Sequence, residues 1–161
     1  MQKAIFLDRD GVIITERGDY NYLPADINLV HGIAEALREL AKKGYIFIVI
    51  TNQGGIARGL FTHERVEEIH AGLKVFFEKE NIEILEFYYC PHHPSTSACI
   101  CRKPASLMLE RAIARFDIDA KQSWFIGDTD RDIEAGEKAG VQTLLIPANA
   151  DLREWIGEIV V

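Results

Sequence analysis

Long hydrophobic runs are missing from this sequence of 161 residues, which also has only three cysteines and five prolines. The longest strongly apolar run, Tyr45–Ile50, is far too short to cross a membrane, and no signal peptide is visible. Basic residues are outnumbered, 18 against 25 acidic ones, and the net charge of −7 argues against broad binding to nucleic acids or membranes. We therefore expect a soluble, cytoplasmic protein. An anionic substrate is still compatible with this charge if local cations or a metal ion face it.

The three cysteines lie in one short stretch, at positions 90, 99 and 101. An odd number of clustered cysteines in such a chain favours metal binding over a disulfide framework. Cys90 and His92 form one pair and Cys99 and Cys101 another, which gives the three thiols and one imidazole of a closed, structural zinc site. His93 is a competing imidazole, and buried or redox-active cysteines are the alternative interpretation. Because Arg102 and Lys103 follow directly, we expect zinc in this loop to position them.

Strand-like and helix-like segments alternate along the chain. The predicted strands are Ala4–Leu7, Tyr45–Ile50, Glu83–Tyr89, Ser123–Ile126 and Val141–Ile146. The predicted helices are Ile33–Lys43, one capped by Thr62, one through Leu109–Phe116, Asp130–Ala139 and a short closing helix at Asp151–Ile156. This alternation predicts an α/β fold with a doubly wound parallel sheet. The length predicts one domain over residues 1–161.

Chemically useful side chains follow several of these strands, at the edge where the carboxyl ends of parallel strands meet. They are Asp8 and Asp10 after the first strand, Thr51 and Asn52 after the second, Lys103 beyond the third, and Asp128 after the fourth. Clustered carboxylates repel one another unless a cation lies among them, and oxygen-rich sites suit magnesium. A hydroxyl, an amide and a lysine provide donors for a phosphate. Each feature alone is also explained by a turn, a helix cap or a solvated lysine, but their joint placement favours a site.

The order of these motifs is specific to a known group of enzymes. The series DRDG, TNQ, Lys103 and GDTDRD resembles the haloacid dehalogenase-like phosphatase superfamily, which has a Rossmann-like fold. Within it, the motifs FLDRDG, TNQGGIARG, CPHHP and CICRKP together resemble the D-glycero-D-manno-heptose 1,7-bisphosphate phosphatase family. Histidinol-phosphate phosphatases share most of these motifs, whereas GIARG at positions 55–59 favours the heptose branch. Thr129 departs from the pattern, because heptose enzymes often have a basic residue there.

The resemblance implies a magnesium-dependent phosphatase that acts through an aspartyl-phosphate. Asp8 would be the nucleophile, and Asp10 would protonate the leaving oxygen and then activate water. Magnesium would be held by Asp8, the backbone carbonyl of Asp10, and Asp128. The resemblance also assigns Thr51 and Lys103 to the transferred phosphoryl group, and Asn52 and Arg102 to the lining of the site.

The expected substrate is a small phosphorylated sugar, the 7-phosphate of the heptose bisphosphate being the group removed. We expect no large cap domain, so that the loops Thr15–Pro24, Gly54–Phe61 and Cys90–Cys101 form the walls. Arg102 and Arg58 are the cations available for the second phosphate. We expect a monomer, because members without a cap are often monomeric.

Two alternatives stay open at this point. One is a histidinol-phosphate phosphatase, which Glu16 and Asp19 would favour if their loop covers the site. The other is a catalytically silent, zinc-stabilised binding module, although the presence of all the acidic residues and Lys103 argues against it. The remaining histidines, His31, His63 and His70, are expected in surface-like contexts without a role.

Overall fold

The computed structural model describes residues 1–160 and consists of five strands and four α-helices. The strands are β1 (Lys3–Leu7), β2 (Tyr45–Asn52), β3 (Ile84–Cys90), β4 (Trp124–Gly127) and β5 (Gln142–Leu145). The helices are α1 (Ile33–Lys42), α2 (His63–Lys79), α3 (Leu107–Arg115) and α4 (Asp130–Ala139). Short 3₁₀ turns lie at Pro24–Asp26, Ala120–Gln122, Leu152–Glu154 and Ile156–Glu158. In the part of the chain that the structure describes, no helix is both long and apolar enough to span a membrane.

All five strands are parallel, in the order β3-β2-β1-β4-β5. Strand β1 is central, and the chain moves outward from it first toward β3 and then toward β5. The crevice at such a reversal of strand order is where ligands bind in open α/β sheets. Asp8 follows β1 at this point, and its backbone N–H donates to the carbonyl of Ile126 in β4 at 3.1 Å.

Both faces of β1 are buried, as its uninterrupted apolar sequence predicts. Ile5 and Leu7 belong to the core beneath α1 and α2, whereas Ala4 and Phe6 belong to the core beneath α3 and α4. The predicted doubly wound α/β architecture is therefore confirmed, and no large cap domain is inserted within residues 1–160.

Most predicted boundaries agree with the structure to within two residues. Strand β2 continues through Asn52, so Thr51 and Asn52 are its last residues and do not follow it. Thr62 caps α2 as predicted, because its hydroxyl oxygen accepts a hydrogen bond from Arg65 N at 3.2 Å. The predicted closing helix is wrong: two 3₁₀ turns replace it, Leu152–Glu154 and Ile156–Glu158.

The segment between β1 and α1 is partly a core element. Val12, Ile13 and Ile14 are fully buried, and Ile14 forms an antiparallel bridge with Leu29. Asn149, which is far away in the sequence, holds this segment through two hydrogen bonds. Its Oδ1 accepts from Glu16 N at 2.7 Å, and its Nδ2 donates to Glu16 O at 2.9 Å. These contacts fix where the loop at 15–24 leaves the sheet.

Candidate active site

Lys103 joins two carboxylates at the carboxyl edge of the sheet. Its Nζ lies 2.9 Å from Asp8 Oδ1 and 2.7 Å from Asp132 Oδ1, and it also donates to the Ile50 carbonyl at 2.9 Å. The ammonium group is buried, and burial alone would lower its pKa. Asp8 and Asp132 outweigh burial and hold the pKa of Lys103 above its usual value. The lysine is therefore a fixed cation inside the site.

Three carboxylates, from Asp8, Asp128 and Asp132, lie within 4.8 Å of one another when one oxygen of each is considered. Burial raises the pKa of Asp8 well above its ordinary value, although Lys103 opposes the shift, and burial also raises the pKa of Asp128. Asp128 Oδ1 is buried and has no hydrogen-bond partner among the described residues. A bound divalent cation would satisfy this oxygen and relieve the repulsion, so the donor set fits magnesium.

Asp132 is a further residue of the site, with no role among those that the sequence motifs predict. Its Oδ2 accepts from the backbone N and the hydroxyl of Thr129, at 3.2 and 3.0 Å, and so closes a capping box at the start of α4. Its other oxygen is paired with Lys103. The spacing carried a signal, since Asp132 comes three residues after a threonine at a helix start, as in capping boxes.

The carboxylate of Asp10 accepts hydrogen bonds from three side chains. Arg9 binds it through two nitrogens, Nε to Oδ2 at 3.0 Å and Nη2 to Oδ1 at 3.2 Å. Asn21 Nδ2 donates to Oδ1 at 2.8 Å and Gln53 Nε2 to Oδ2 at 3.1 Å. Burial alone would raise the pKa of Asp10, but the Arg9 charge and these hydrogen bonds hold that pKa below its ordinary value.

Thr51 and Asn52 end strand β2 beside this cluster. The Thr51 hydroxyl oxygen accepts from Gln53 Nε2 at 2.9 Å. The Asn52 amide binds the backbone of Lys103 in both directions, since its Oδ1 accepts from Lys103 N at 3.0 Å and its Nδ2 donates to Lys103 O at 3.2 Å. Asn52 therefore fixes the loop that carries Lys103.

Gly11 allows the turn after β1 to approach the acidic cluster. Its φ is +95°, in the region that favours glycine, and a Cβ there would overlap the carboxylate of Asp128. The backbone therefore passes against Asp128 at a distance that only glycine permits.

The cysteine cluster forms a second group of donors, next to Lys103 in the chain. The four donor atoms of Cys90, His92, Cys99 and Cys101 all lie within 4.8 Å of one another. Cys90 Sγ is 3.0 Å from Cys101 Sγ and 3.7 Å from Cys99 Sγ, and His92 Nδ1 is 3.2 Å from Cys101 Sγ. A tetrahedral zinc places its sulfur ligands about 3.8 Å apart, a separation that Cys90 and Cys99 already have, whereas the Cys90 and Cys101 sulfurs would have to move apart by less than about 1 Å. Three thiols and one imidazole around one point are a donor set that fits zinc.

The two candidate imidazoles differ in position. His92 lies in the cluster, whereas His93 turns away and its Nδ1 pairs with the Ser95 hydroxyl at 2.7 Å. All three cysteines are free of disulfides. The cluster is connected to the active-site edge by Arg102, whose Nη1 donates to the His92 carbonyl at 3.2 Å.

A cavity of about 240 Å³ opens over the acidic cluster. Asp8, Asp10, Thr51, Asn52, Arg102, Lys103 and Asp128 all line it, so the structure brings together every residue predicted for the magnesium and phosphate sites. The loop at 15–24 forms one wall through Glu16, Asp19, Tyr20 and Asn21.

Two expectations about the walls are wrong. The loop Cys90–Cys101 lines a neighbouring cavity instead, and Arg102 is where that segment reaches the site. Arg58 does not line the cavity, and its Nη1 donates to the hydroxyl of the wall residue Tyr20 at 3.4 Å. The second guanidinium at the rim is that of Arg131, in the first turn of α4, which the sequence reasoning missed. Arg131 lies two residues beyond Thr129, where the expected basic residue is missing.

His70 is a further correction. It was expected in a surface-like context, but it is buried and stacks on Phe87 with ring centroids 4.5 Å apart. The helical pattern carried a signal, because His70 lies on the same face of α2 as Val66, Leu73 and Phe77.

The parallel sheet, with an acidic nucleophile candidate after β1 and a buried lysine beside it, is typical of haloacid dehalogenase-like hydrolases. A family model described as HAD-hydrolase-like matches residues 100–159. The chain is 36% identical over 151 residues to the D-glycero-beta-D-manno-heptose-1,7-bisphosphate 7-phosphatase of Haemophilus ducreyi, covering 90% of this chain and 82% of that protein. It is 40% identical over 144 residues to the D-glycero-alpha-D-manno-heptose-1,7-bisphosphate 7-phosphatase of Campylobacter jejuni, covering 89% and 81%. The chain belongs to the D-glycero-D-manno-heptose 1,7-bisphosphate 7-phosphatase family.

Solved structures agree with this assignment. The D,D-heptose 1,7-bisphosphate phosphatase from B. bronchiseptica, complexed with magnesium and phosphate, superposes with a TM-score of 0.85 at 29% identity. The match covers 98% of this chain and 87% of that one. The resemblance seen in the sequence motifs is therefore confirmed for both the superfamily and the family.

Proposed function

We propose that this protein is a magnesium-dependent phosphatase that removes the 7-phosphate of D-glycero-D-manno-heptose 1,7-bisphosphate. One observation supports the chemistry above all: the buried Asp8 carboxylate lines the cavity 2.9 Å from the Lys103 ammonium and within 4.8 Å of a carboxylate oxygen of Asp128. The names of the relatives support the choice of substrate.

In the proposed reaction, a carboxylate oxygen of Asp8 attacks phosphorus, and the bond between phosphorus and the sugar oxygen breaks. Asp8 Oδ1 accepts hydrogen bonds from Arg9 N at 2.8 Å and Lys103 Nζ at 2.9 Å, which orients the carboxylate. Asp10, whose pKa is held low in the free protein, takes up a proton from solvent when the anionic phosphate lies beside it and gives that proton to the departing sugar oxygen. It then takes a proton from the water that hydrolyses the aspartyl-phosphate, and inorganic phosphate leaves.

The phosphoryl group carries negative charge that Asp8 must approach. Lys103 and the Thr51 hydroxyl supply donors for its oxygens, and Asn52 keeps Lys103 in place through the two backbone hydrogen bonds. Magnesium would be held by Asp8, the Asp10 carbonyl and Asp128. When bound, this ion supplies the positive charge that offsets repulsion between the phosphate and the carboxylates.

We assign zinc to Cys90, His92, Cys99 and Cys101. Four protein ligands leave no open position, so this zinc is structural. Because Arg102 donates to the His92 carbonyl and precedes Lys103, the zinc loop positions two cations of the site.

The second phosphate of the substrate would lie at the cavity rim. Arg102 and Arg131 are the guanidinium groups in the cavity lining, and a guanidinium suits phosphate through paired hydrogen bonds. A phosphate on the end of a flexible carbon arm can enter beside Asp8 while the other phosphate stays at this rim.

Histidinol phosphate is the second candidate substrate. Glu16 and Asp19 line the same cavity, and their carboxylates would favour the cationic amine of that molecule. The arginines at the rim would therefore favour the heptose bisphosphate, and the acidic residues of the loop at 15–24 would favour histidinol phosphate.

Phosphate release from both compounds, and from a panel of other sugar phosphates, tests the proposal. We expect the highest kcat/KM with the heptose bisphosphate, and no turnover by the Asp8→Asn variant, which lacks the attacking carboxylate. A higher kcat/KM for histidinol phosphate would move the protein to the other branch. Failure of wild-type protein to release phosphate from any of them would refute the enzymatic proposal. Sedimentation of the same sample tests the expectation of a monomer.

A further inference from the structure

His70 and Arg9 form a buried polar pair behind Asp10. Arg9 is fully buried at the end of β1, and His70 reaches it from α2. Arg9 Nη1 lies 3.2 Å from His70 Nε2. A guanidinium can only donate, so Nε2 is the acceptor and the imidazole is neutral with its proton on Nδ1.

Each nitrogen of the Arg9 guanidinium has a defined partner. Nε and Nη2 bind the two oxygens of Asp10, Nη2 also donates to the Asn21 carbonyl at 3.1 Å, and Nη1 donates to His70. Among residues 1–160, His70 is the one acceptor found for Nη1. The His70 imidazole therefore fixes the Arg9 guanidinium from the side opposite Asp10. Through the two contacts between Arg9 and Asp10, it also fixes the carboxylate of Asp10.

The histidine is itself held firmly. Its ring is stacked on Phe87 at an interplanar angle of 17°, and it meets the edge of Tyr89 at 5.7 Å between centroids. Burial, followed by the Arg9 charge, lowers the pKa of His70 to about 3, so the acceptor nitrogen stays free of a proton at neutral pH.

We propose that His70 is a positioning residue for the phosphatase reaction, which sets the orientation of the Asp10 carboxylate by anchoring the Arg9 guanidinium. The proposal rests on the role of Asp10 in the proposed function. Without the acceptor, a fully buried N–H of Arg9 loses its partner, and a guanidinium that rotates to recover one releases the carboxylate of Asp10. His70 touches neither substrate nor the reacting atoms.

Two variants separate the acceptor from the ring. His70→Phe keeps an aromatic ring for Phe87 but removes the acceptor, whereas His70→Gln places an amide oxygen near the position of Nε2. Leu73→Ala, one turn further along the same buried face of α2, is the control for lost packing. His70→Asn, which is polar but too short to reach Arg9, replaces His70→Phe if the latter does not fold.

The test compares two leaving groups. An alkyl phosphate such as the heptose bisphosphate needs a proton from Asp10, whereas p-nitrophenyl phosphate has a leaving group that departs without one. General acid catalysis contributes roughly 10²–10⁴-fold, so partial misplacement by His70→Phe should lower kcat/KM on the alkyl ester about 10-fold. We expect less than about twofold loss of kcat/KM on the aryl ester and near-normal values for His70→Gln, since a proton-delivery defect follows the leaving group. The comparison uses kcat/KM because this ratio covers the steps up to the aspartyl-phosphate, whereas the later hydrolysis, with Asp10 as base, is the same for both esters.

A merely structural role for His70 predicts something else. Equal losses of kcat/KM on both esters, an unchanged kcat/KM on the alkyl ester in folded His70→Phe, or a His70→Gln variant as impaired as His70→Phe would each overturn the proposal. Leu73→Ala should show an unchanged ratio between the two esters at a temperature where it is folded.

The positioning claim is separable from the substrate assignment. If wild type hydrolyses other alkyl phosphates but not the heptose bisphosphate, the same ratio is read on those esters. If it hydrolyses none, crystal structures of wild type and His70→Phe decide: loss of the paired contacts between Arg9 and Asp10 supports the proposal, and their retention refutes it.

Discussion

At the residue scale, the site depends on three carboxylates that lie close enough together to repel one another. Asp8, Asp128 and Asp132 share one small volume, and Lys103 neutralises part of their charge. The pKa values of Asp8 and Asp128 are raised, so the acidic cluster on its own resists full ionisation. Because Gly11, in the turn after β1, lies against the Asp128 carboxylate, a side chain at that position should disturb the geometry of the cluster.

Gly11→Ala should show this sensitivity. The new methyl group would overlap the Asp128 carboxylate, and the positive φ adds strain of about 1–2 kcal/mol. We expect kcat/KM to fall on the order of 10–100-fold through misplacement of Asp128. Steady-state kinetics and urea unfolding measure the two effects separately.

Gly140→Ala is the matched control. Gly140, which ends α4 and lies outside the cavity lining, also has a positive φ, of +84°, but nothing lies within 4 Å of the position its Cβ would take. It should lose similar stability with kcat/KM nearly unchanged. Equal loss of activity in both variants would show that backbone strain, and not contact with Asp128, is responsible.

Arg131→Ala tests recognition of the second phosphate. One charge-assisted hydrogen bond is worth about 1.5–3 kcal/mol, so kcat/KM for the bisphosphate should fall roughly 10–100-fold. A sugar monophosphate without the second group should be affected little. Arg58→Ala is the control, because Arg58 does not line the cavity. If Arg131→Ala lowered kcat/KM equally for the bisphosphate and the monophosphate, that result would argue against a phosphate contact by Arg131.

At the element scale, the cysteine loop and strand β2 cooperate in holding Lys103. The loop ends at Cys101, and Arg102 binds back to it through the His92 carbonyl. Asn52 at the end of β2 binds both the N–H and the carbonyl of Lys103. The lysine is thus restrained from two elements, one of which we expect to depend on zinc.

Cys99→Ser should therefore lower zinc content, stability and activity together. Elemental analysis of purified wild type should find about one zinc per chain, because four protein ligands hold the ion tightly. Removal of magnesium by mild chelation should stop turnover reversibly and leave zinc in place. Wild-type protein that is fully active without zinc would refute the zinc assignment.

Sequence patterns predicted the elements and the ends of strands more readily than the direction of side chains. The apolar run of β1 and the position of Asp8 after it were recoverable because a parallel sheet brings strand ends to one edge. Arg131 was not, because a charged residue in a first helical turn can face solvent equally well. His70 was missed because a histidine on an apolar helix face has no visible partner until α2 packs against β3 and brings the imidazole to Arg9.

At the scale of the whole molecule, the buried His70 links folding to pH. The unfolded chain binds a proton near pH 6.5, whereas native His70 does so only near 3. Between these values the unfolded state holds more protons, so stability falls as pH falls. The slope from this group alone is about 1.4 kcal/mol per pH unit below pH 6.

Urea unfolding of wild type at pH 7, 6 and 5 measures that slope. In His70→Gln, which has no group that titrates at this position, the loss of stability between pH 6 and pH 5 should be smaller by up to about 1.4 kcal/mol. Identical slopes in the two proteins would contradict a buried, neutral His70.

The bridge from Asn149 to Glu16 has a consequence for altering substrate preference. Asn149 lies 133 residues from Glu16 in the chain and outside the cavity lining, yet its amide sets where the acidic wall begins. Its backbone N–H also donates to the Gly11 carbonyl at 2.8 Å, so the same residue touches the turn after β1. Directed evolution confined to cavity-lining positions would miss Asn149. A library that varies it together with positions 15–20 would sample wall geometries that no set of lining substitutions can reach.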